Sequence, residues 1–137
     1  MTVCANAPDE TVKAAVAASK ETGVAVVVDT IGVKQQAARA RQCAEWGVDM
    51  IYLHYGTDER VANPSKDSTQ WLEEVLAAVS IPVVVGCFGV EDAVRAVQRG
   101  ADNVTIGHPV ISCANPLEEL RRFVREVRAN YRPRAKR

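Results

Sequence analysis

Short β-branched runs alternate along the chain with stretches whose apolar residues recur at helical spacing, and this alternation is how βαβ units of a parallel sheet look in sequence. The first run is Thr2–Ala5. A helix follows it, with Pro8 near its first position, Asp9 and Glu10 in its first turn and Gly23 at its end. Val24–Asp29 is the second strand, four valines and an alanine without alternation, a pattern suited to a strand covered on both faces. Its helix is expected over Lys34–Trp46, closed by Gly47. The third strand, Met50–His54, leads into a long polar loop, Tyr55–Ser68. Trp71–Val79 then places Trp71, Leu72, Val75, Leu76 and Val79 on one helical face. Pro82–Val85, a helix over Glu91–Arg99 and a strand Asn103–Ile106 come next. Asn115, Pro116 and Glu118 read as an N-cap, a helix-opening proline and an acid at N3, starting a last helix that reaches Tyr131.

A faint repeat runs through these units. Gly23-Val24, Gly47-Val48-Asp49 and Gly100-Ala101-Asp102 each end a helix and lead into an apolar strand. The glycine supplies a left-handed C′ residue, and the small residue after it lets helix and sheet approach. Repeated short αβ loops favour an α/β fold of the (β/α)8 TIM-barrel type, here incomplete, with five βα units. A flavodoxin-like doubly wound sheet also has five such units and is the alternative. The expected organisation is one partial barrel domain, residues 1–131, and a basic tail, 132–137, read as a solvated end.

Charge narrows the partners. Lys and Arg total 17, Asp and Glu total 17, and the net charge is zero, so a basic footprint for nucleic acid or a membrane surface is absent. Met1–Glu10 carries a proline and two acids where a signal peptide needs an apolar run. No stretch approaches the roughly 20 apolar residues of a membrane span. Cys4, Cys43, Cys87 and Cys113 lie far apart with no CxxC pair and no histidine at zinc spacing, which fits reduced thiols in a cytoplasmic protein.

In either architecture ligands bind beyond the C-terminal ends of the strands. The residues there are Asn6, Asp29, His54 with Asp58, Gly86-Cys87-Phe88-Gly89, and Gly107-His108. Asp29 ends a valine run, where burial and neighbouring charge tune a carboxylate; the plainer role is an Asp bonding its own loop. His54 at a strand end suits acid–base work near neutral pH, or simply a bond to the next loop. Asp58 and Glu59 are candidates of the same kind, or solvated loop charges. Gly86–Gly89 and Gly107-His108, on consecutive units, each present backbone N–H groups just before a helix, the arrangement that cradles a phosphate; glycine at a tight βα turn also has steric reasons.

Val27-Val28-Asp29-Thr30-Ile31-Gly32, then Arg39-Ala40, and above all Ile51-Tyr52-Leu53-His54-Tyr55-Gly56-Thr57-Asp58-Glu59 resemble the 3-hexulose-6-phosphate synthase and 3-keto-L-gulonate-6-phosphate decarboxylase family, within the orotidine 5′-monophosphate decarboxylase superfamily. The resemblance implies a Mg2+-assisted lyase acting on a pentulose or hexulose phosphate. In it His54, with Asp29 and Asp58, would be catalytic, and Gly86, Cys87, Gly107 and the amide of His108 would hold the phosphate. The family's first three strands, with an Asp-x-Lys-x-x-Asp motif supplying metal and catalytic groups, have no counterpart in this sequence. The five units are therefore expected to be equivalent to barrel strands 4–8, to contain no metal ligand of their own, and to be inactive alone. A missing N-terminal half or a homo-oligomer is expected to cover the open sheet.

Two positions depart from the family pattern. Cys87 stands where a second glycine is usual. Pro109 removes one N–H from the His108 loop, and a lost donor to a charged group costs roughly 1.5–3 kcal/mol. A synthase is favoured over a decarboxylase, because the decarboxylase branch has a basic residue near the place of Thr57.

Overall fold

The computed structural model describes residues 1–134, and the last three residues of the basic tail lie outside them. Five strands, β1 (Thr2–Cys4), β2 (Val27–Asp29), β3 (Met50–Leu53), β4 (Val83–Cys87) and β5 (Asn103–Ile106), form one sheet. They run in the order β1-β2-β3-β4-β5, every pair parallel. A doubly wound sheet reverses its strand order at a switch point. This one never does, so the flavodoxin-like alternative is excluded and the architecture is that of consecutive units of a (β/α) barrel. The helices are α1 (Asp9–Thr22), α2 (Gln36–Trp46), α3 (Thr57–Ala62), α4 (Leu72–Ala78), α5 (Val90–Gln98) and α6 (Pro116–Asn130).

The register sorts the two faces of the sheet. Val3, Val28, Ile51 and Val83 lie level across four strands, and Val85 pairs with Val104. These residues meet the helices, and with Val12, Val16, Leu53, Leu72, Val75, Ala93 and Ala96 they make the core. The opposite face carries Thr2, Cys4, Asp29, Tyr52, Gly86 and Thr105, because side chains alternate along a strand. Val27, Met50 and Val84 share that face, so it is mixed, and it is partly open: Thr2, Cys4 and Thr105 are exposed. The expectation that β2 is covered on both faces therefore fails for the described chain, in which Val28 is buried but Val27 and Asp29 are half-buried.

Several details differ from the sequence reading. Val24 is exposed and precedes the strand, and the Val26 N–H bonds the Asp49 carboxylate at 2.6 Å instead of a ladder carbonyl. β4 continues through Gly86 and Cys87, which are strand residues rather than loop. The expected loop Tyr55–Ser68 contains α3, whose polar sequence gives no apolar periodicity; the Gly56 N–H is capped by the Glu59 carboxylate at 3.0 Å. The Asn115 side chain makes no cap; its amide donates to Glu118 Oε2 at 2.6 Å.

The glycine repeat has the expected conformation, with φ of 70° at Gly23, 96° at Gly47 and 94° at Gly100. Its aspartates have a definite job. Asp49 Oδ2 accepts the Val26 N–H and Asp102 Oδ2 accepts the Val83 N–H at 2.8 Å, so each ties the start of the preceding strand to its own unit. Arg134 closes the same end. Its guanidinium donates to the carbonyls of Leu76, Val79, Ser80 and Ile81 at 3.1–3.4 Å and lies 3.4 Å from Asp102. This part of the tail is docked, not solvated.

Candidate functional site

The site lies on the inner face at the C-terminal ends of β2 to β5. Asp29 ends β2, and the chain turns there because its Oδ1 accepts the Ile31 N–H at 2.9 Å. Its Oδ2 lies 2.9 Å from His54 Nδ1. Asp29 thus bonds its own loop, the plainer role considered from the sequence, and it also pairs with an imidazole, which the sequence reading did not consider. A carboxylate accepts, so Nδ1 carries the ring proton and the neutral ring leaves Nε2 as an acceptor. The bond to Asp29 raises the His54 pKa above the usual imidazole value; partial burial works against it, and the charges of Asp29 and Glu59 add to the rise. His54 is therefore a strengthened base held in one tautomer.

Tyr52 precedes His54 by two residues and shares its face. The two rings stack with centroids 5.1 Å apart and planes 19° from parallel. The Tyr52 hydroxyl reaches across β4 to Thr105 Oγ1 at 3.0 Å. Gly86 lies beneath this crossing. A Cβ at Gly86 would meet Tyr52 Oη at 2.9 Å, closer than real contacts allow, and two ring carbons at a tight 3.2 and 3.3 Å. The glycine thus leaves room for the tyrosine ring, which would have to shift to admit a Cβ. Burial is the main cause of a raised Tyr52 pKa, so the phenol stays protonated. Asp29, His54, Tyr52, Gly86 and Thr105 form one line over four strands.

A cavity of about 220 Å³ opens beside this line, lined by Tyr52, His54, Thr57, Gly107, His108 and neighbouring residues of β4 and β5. Of the sequence candidates it gathers His54, Gly86, Cys87, Gly107 and His108. Asp58 is exposed in the first turn of α3 and does not line it. The Cys87 side chain packs in the core, its Sγ–H donating to the Val85 carbonyl at 3.5 Å, and burial pushes its pKa far up, so it stays a thiol. Gly107-His108 leads into a three-residue 3-10 turn, Val110–Ser112, and not directly into a helix as expected. A hollow of about 710 Å³ around Arg39 is larger, but that guanidinium is already bonded to Ala5 O, Ala7 O and Asp9, and no histidine reaches the hollow.

Below the rim, Arg95 bridges Asp67 Oδ2 at 2.8 Å and Asp92 Oδ1 at 2.5 Å, while Asp92 Oδ2 accepts the Phe88 N–H at 3.3 Å. Burial works to raise the Asp67 pKa, but bonds from Thr69 and Arg95 outweigh it and hold the carboxyl below its usual value. This clamp steadies the β4–α5 loop. Tyr52, Thr105 and the clamp were missed from the sequence. For the first two a signal existed, since each stands two residues before a named candidate on the same strand face. The clamp joins residues 28 apart through a loop and left no local pattern.

No group of three His, Cys, Asp or Glu side chains among the described residues is disposed to hold a metal ion, and both oxygens of Asp29 are engaged. These residues do not by themselves fit a Mg2+ site. Among the described residues no helix is long and apolar enough to cross a membrane.

Fold and rim together define a class: an α/β protein built from five units of a (β/α) barrel, with its polar groups at the strand C-termini. Comparison with known proteins narrows the class. The chain is homologous to 3-hexulose-6-phosphate synthase: it is 35% identical over 121 residues to the enzyme of that name from Mycobacterium gastri, covering 85% of this chain and 56% of the relative. The crystal structure of 3-hexulose-6-phosphate synthase from Salmonella typhimurium superposes with a TM-score of 0.85 at 27% identity, covering 95% of this chain and 62% of that one. That of 3-keto-L-gulonate-6-phosphate decarboxylase from Vibrio cholerae gives a TM-score of 0.73 at 14% identity over 96% of this chain and 61% of that one, a likeness of fold. No family model matches. The chain spans about half the length of the curated relatives it matches.

Proposed function

We propose that this chain forms the sugar-phosphate-handling part of a lyase of the 3-hexulose-6-phosphate synthase kind, acting in the cytoplasm. The reaction adds ribulose 5-phosphate to formaldehyde: a proton leaves C1 of the pentulose, the resulting enediolate carbon attacks the aldehyde carbon, and the new alkoxide takes up a proton. The observation that carries the reading is the Asp29–His54 pair at the edge of the rim cavity. His54 Nε2 moves the substrate proton, Asp29 fixes the ring and balances the imidazolium, and the Gly107-His108 segment receives the phosphate. Asp58 serves the reaction only if α3 shifts toward the cavity.

A TIM barrel has eight strands and five are described. In this reading the open inner face is completed by further βα units or by a second copy, which also bring the ligands for Mg2+. The chain alone binds the sugar phosphate without turning it over. Thr57 at the cavity favours the synthase over a decarboxylase, for which a basic residue was expected there.

The test is calorimetric binding of D-ribulose 5-phosphate to the chain, followed by assay for hexulose 6-phosphate with the complementary units added. His54→Gln is expected to lower turnover by about 10²- to 10⁴-fold while leaving affinity within a few-fold. A large loss of affinity with no loss of rate would make the chain a binding module instead.

A further inference from the structure

The chain has two histidines, and both line the rim cavity. The reading above uses the His54 ring but only the backbone of His108. The His108 ring is nevertheless held. Its Nδ1 lies 2.8 Å from Ser112 Oγ, and the Ser112 hydroxyl donates to the Pro109 carbonyl at 3.2 Å. A hydroxyl has one proton. With that proton on Pro109 O, Ser112 faces the imidazole as an acceptor, so Nδ1 is the protonated nitrogen. The neutral ring then has its lone pair on Nε2, and any second proton goes there.

We propose that His108 takes up that second proton when an anionic phosphate enters the cavity and holds it through a charge-assisted N–H···O bond from Nε2, so that binding and protonation are one event. The inference rests on the sugar-phosphate reading for the class of anion. Its physical basis is a contrast in counter-charge. His54 has Asp29 at 2.9 Å. His108 has no carboxylate within ion-pair distance among the described residues. The titratable groups lining the cavity beside it are Tyr52 from β3, His54 and Tyr55 just beyond β3, and Cys87 from β4, none of them a carboxylate, with Ser112 on its own turn. From α6, packed against that turn, Glu118 is bonded to Asn115. An anionic ligand would be the counter-charge that the described residues do not place beside the ring. The device also replaces a donor, because Pro109 gives the loop no N–H.

The test uses the 137-residue chain with sulfate, a dianion throughout pH 5.5–8.5, and D-ribulose 5-phosphate. With two histidines the ring protons are followed by NMR without ambiguity. Saturating sulfate is expected to keep the His108 ring protonated to higher pH than in the free chain, and sulfate affinity then falls about tenfold as pH rises from 6 to 8.5. His108→Gln is expected to weaken binding about tenfold or more at pH 6 and little at pH 8.5, flattening the profile. His108 is exposed, so the fold tolerates the change. An unmoved His108 pKa in the saturated complex, or a pH profile that survives in His108→Gln and disappears in His54→Gln, overturns the inference while leaving the sugar-phosphate reading in place. Failure of both anions to bind overturns the two together.

Discussion

Both ends of the sheet carry polar side chains and use them oppositely. At the N-terminal end Asp49 and Asp102 each accept a strand-start N–H, and Arg134 joins Asp102 while donating to four carbonyls. These are closed circuits. At the C-terminal end each pair, Asp29–His54, Tyr52–Thr105 and His108–Ser112, fixes a side chain through one atom. Among the described residues no partner takes Nε2 of either histidine. Saturated polar groups stabilise a fold, whereas groups that are oriented but unsaturated are available to a ligand. The comparison separates structural from chemical residues without reference to any relative.

Substitutions at the two ends should therefore separate rate from stability. The largest effect is expected for His54→Gln, which removes a positioned general base: about 10²- to 10⁴-fold in the turnover of the completed enzyme, with a thermal midpoint close to the parent. Asp102→Ala should do the reverse. It leaves the Val83 N–H unpaired and is expected to cost about 1–3 kcal/mol in denaturant unfolding, with sugar-phosphate affinity unchanged. Gly86→Ala sits between the two cases. Its Cβ displaces the Tyr52 ring and breaks the bond to Thr105, costing roughly 1–3 kcal/mol by overpacking and weakening ligand binding as well. Unchanged stability and affinity in Gly86→Ala would show that Tyr52 does not need the glycine.

The smallest effects are in pH dependence, and their signs are opposite. The folded pKa of His54 is raised, so its stabilising contribution is complete below the unfolded value of about 6.5 and is lost as pH rises through the folded value. Asp67 is lowered, so its contribution is present above the unfolded value of about 3.9 and is lost as pH falls through the folded one. Unfolding curves of His54→Gln and Asp67→Asn across pH 3–8.5 should each flatten one limb. A His54→Gln profile identical to the parent's near neutrality would contradict the Asp29 pairing.

The fold was legible because it repeats. The glycine C-caps and β-branched runs recur unit by unit, and each is a local preference of the backbone. Strand order is not local, and the choice between barrel and doubly wound sheet needed the pairings themselves. The candidates at strand ends were legible by position, since a residue just after a parallel strand lies at the rim in either fold. What the sequence hid was reach. The Tyr52 ring crossing Gly86 to Thr105, and Arg95 joining Asp67 to Asp92, depend on side chains meeting over 53 and 28 residues of chain. α3 was hidden for another reason: it is exposed and polar, with Val61 turned to solvent, so no apolar stripe marked it.

The central claim is that the C-terminal rim receives a pentulose phosphate. Titrating the labelled chain with D-ribulose 5-phosphate and following its amide resonances tests it most directly. The account predicts shifts at Tyr52, His54, Gly86, Gly107 and His108, with Asp49, Asp102 and Arg134 unmoved. Shifts confined to the opposite end of the sheet, or none at saturating ligand, would contradict it.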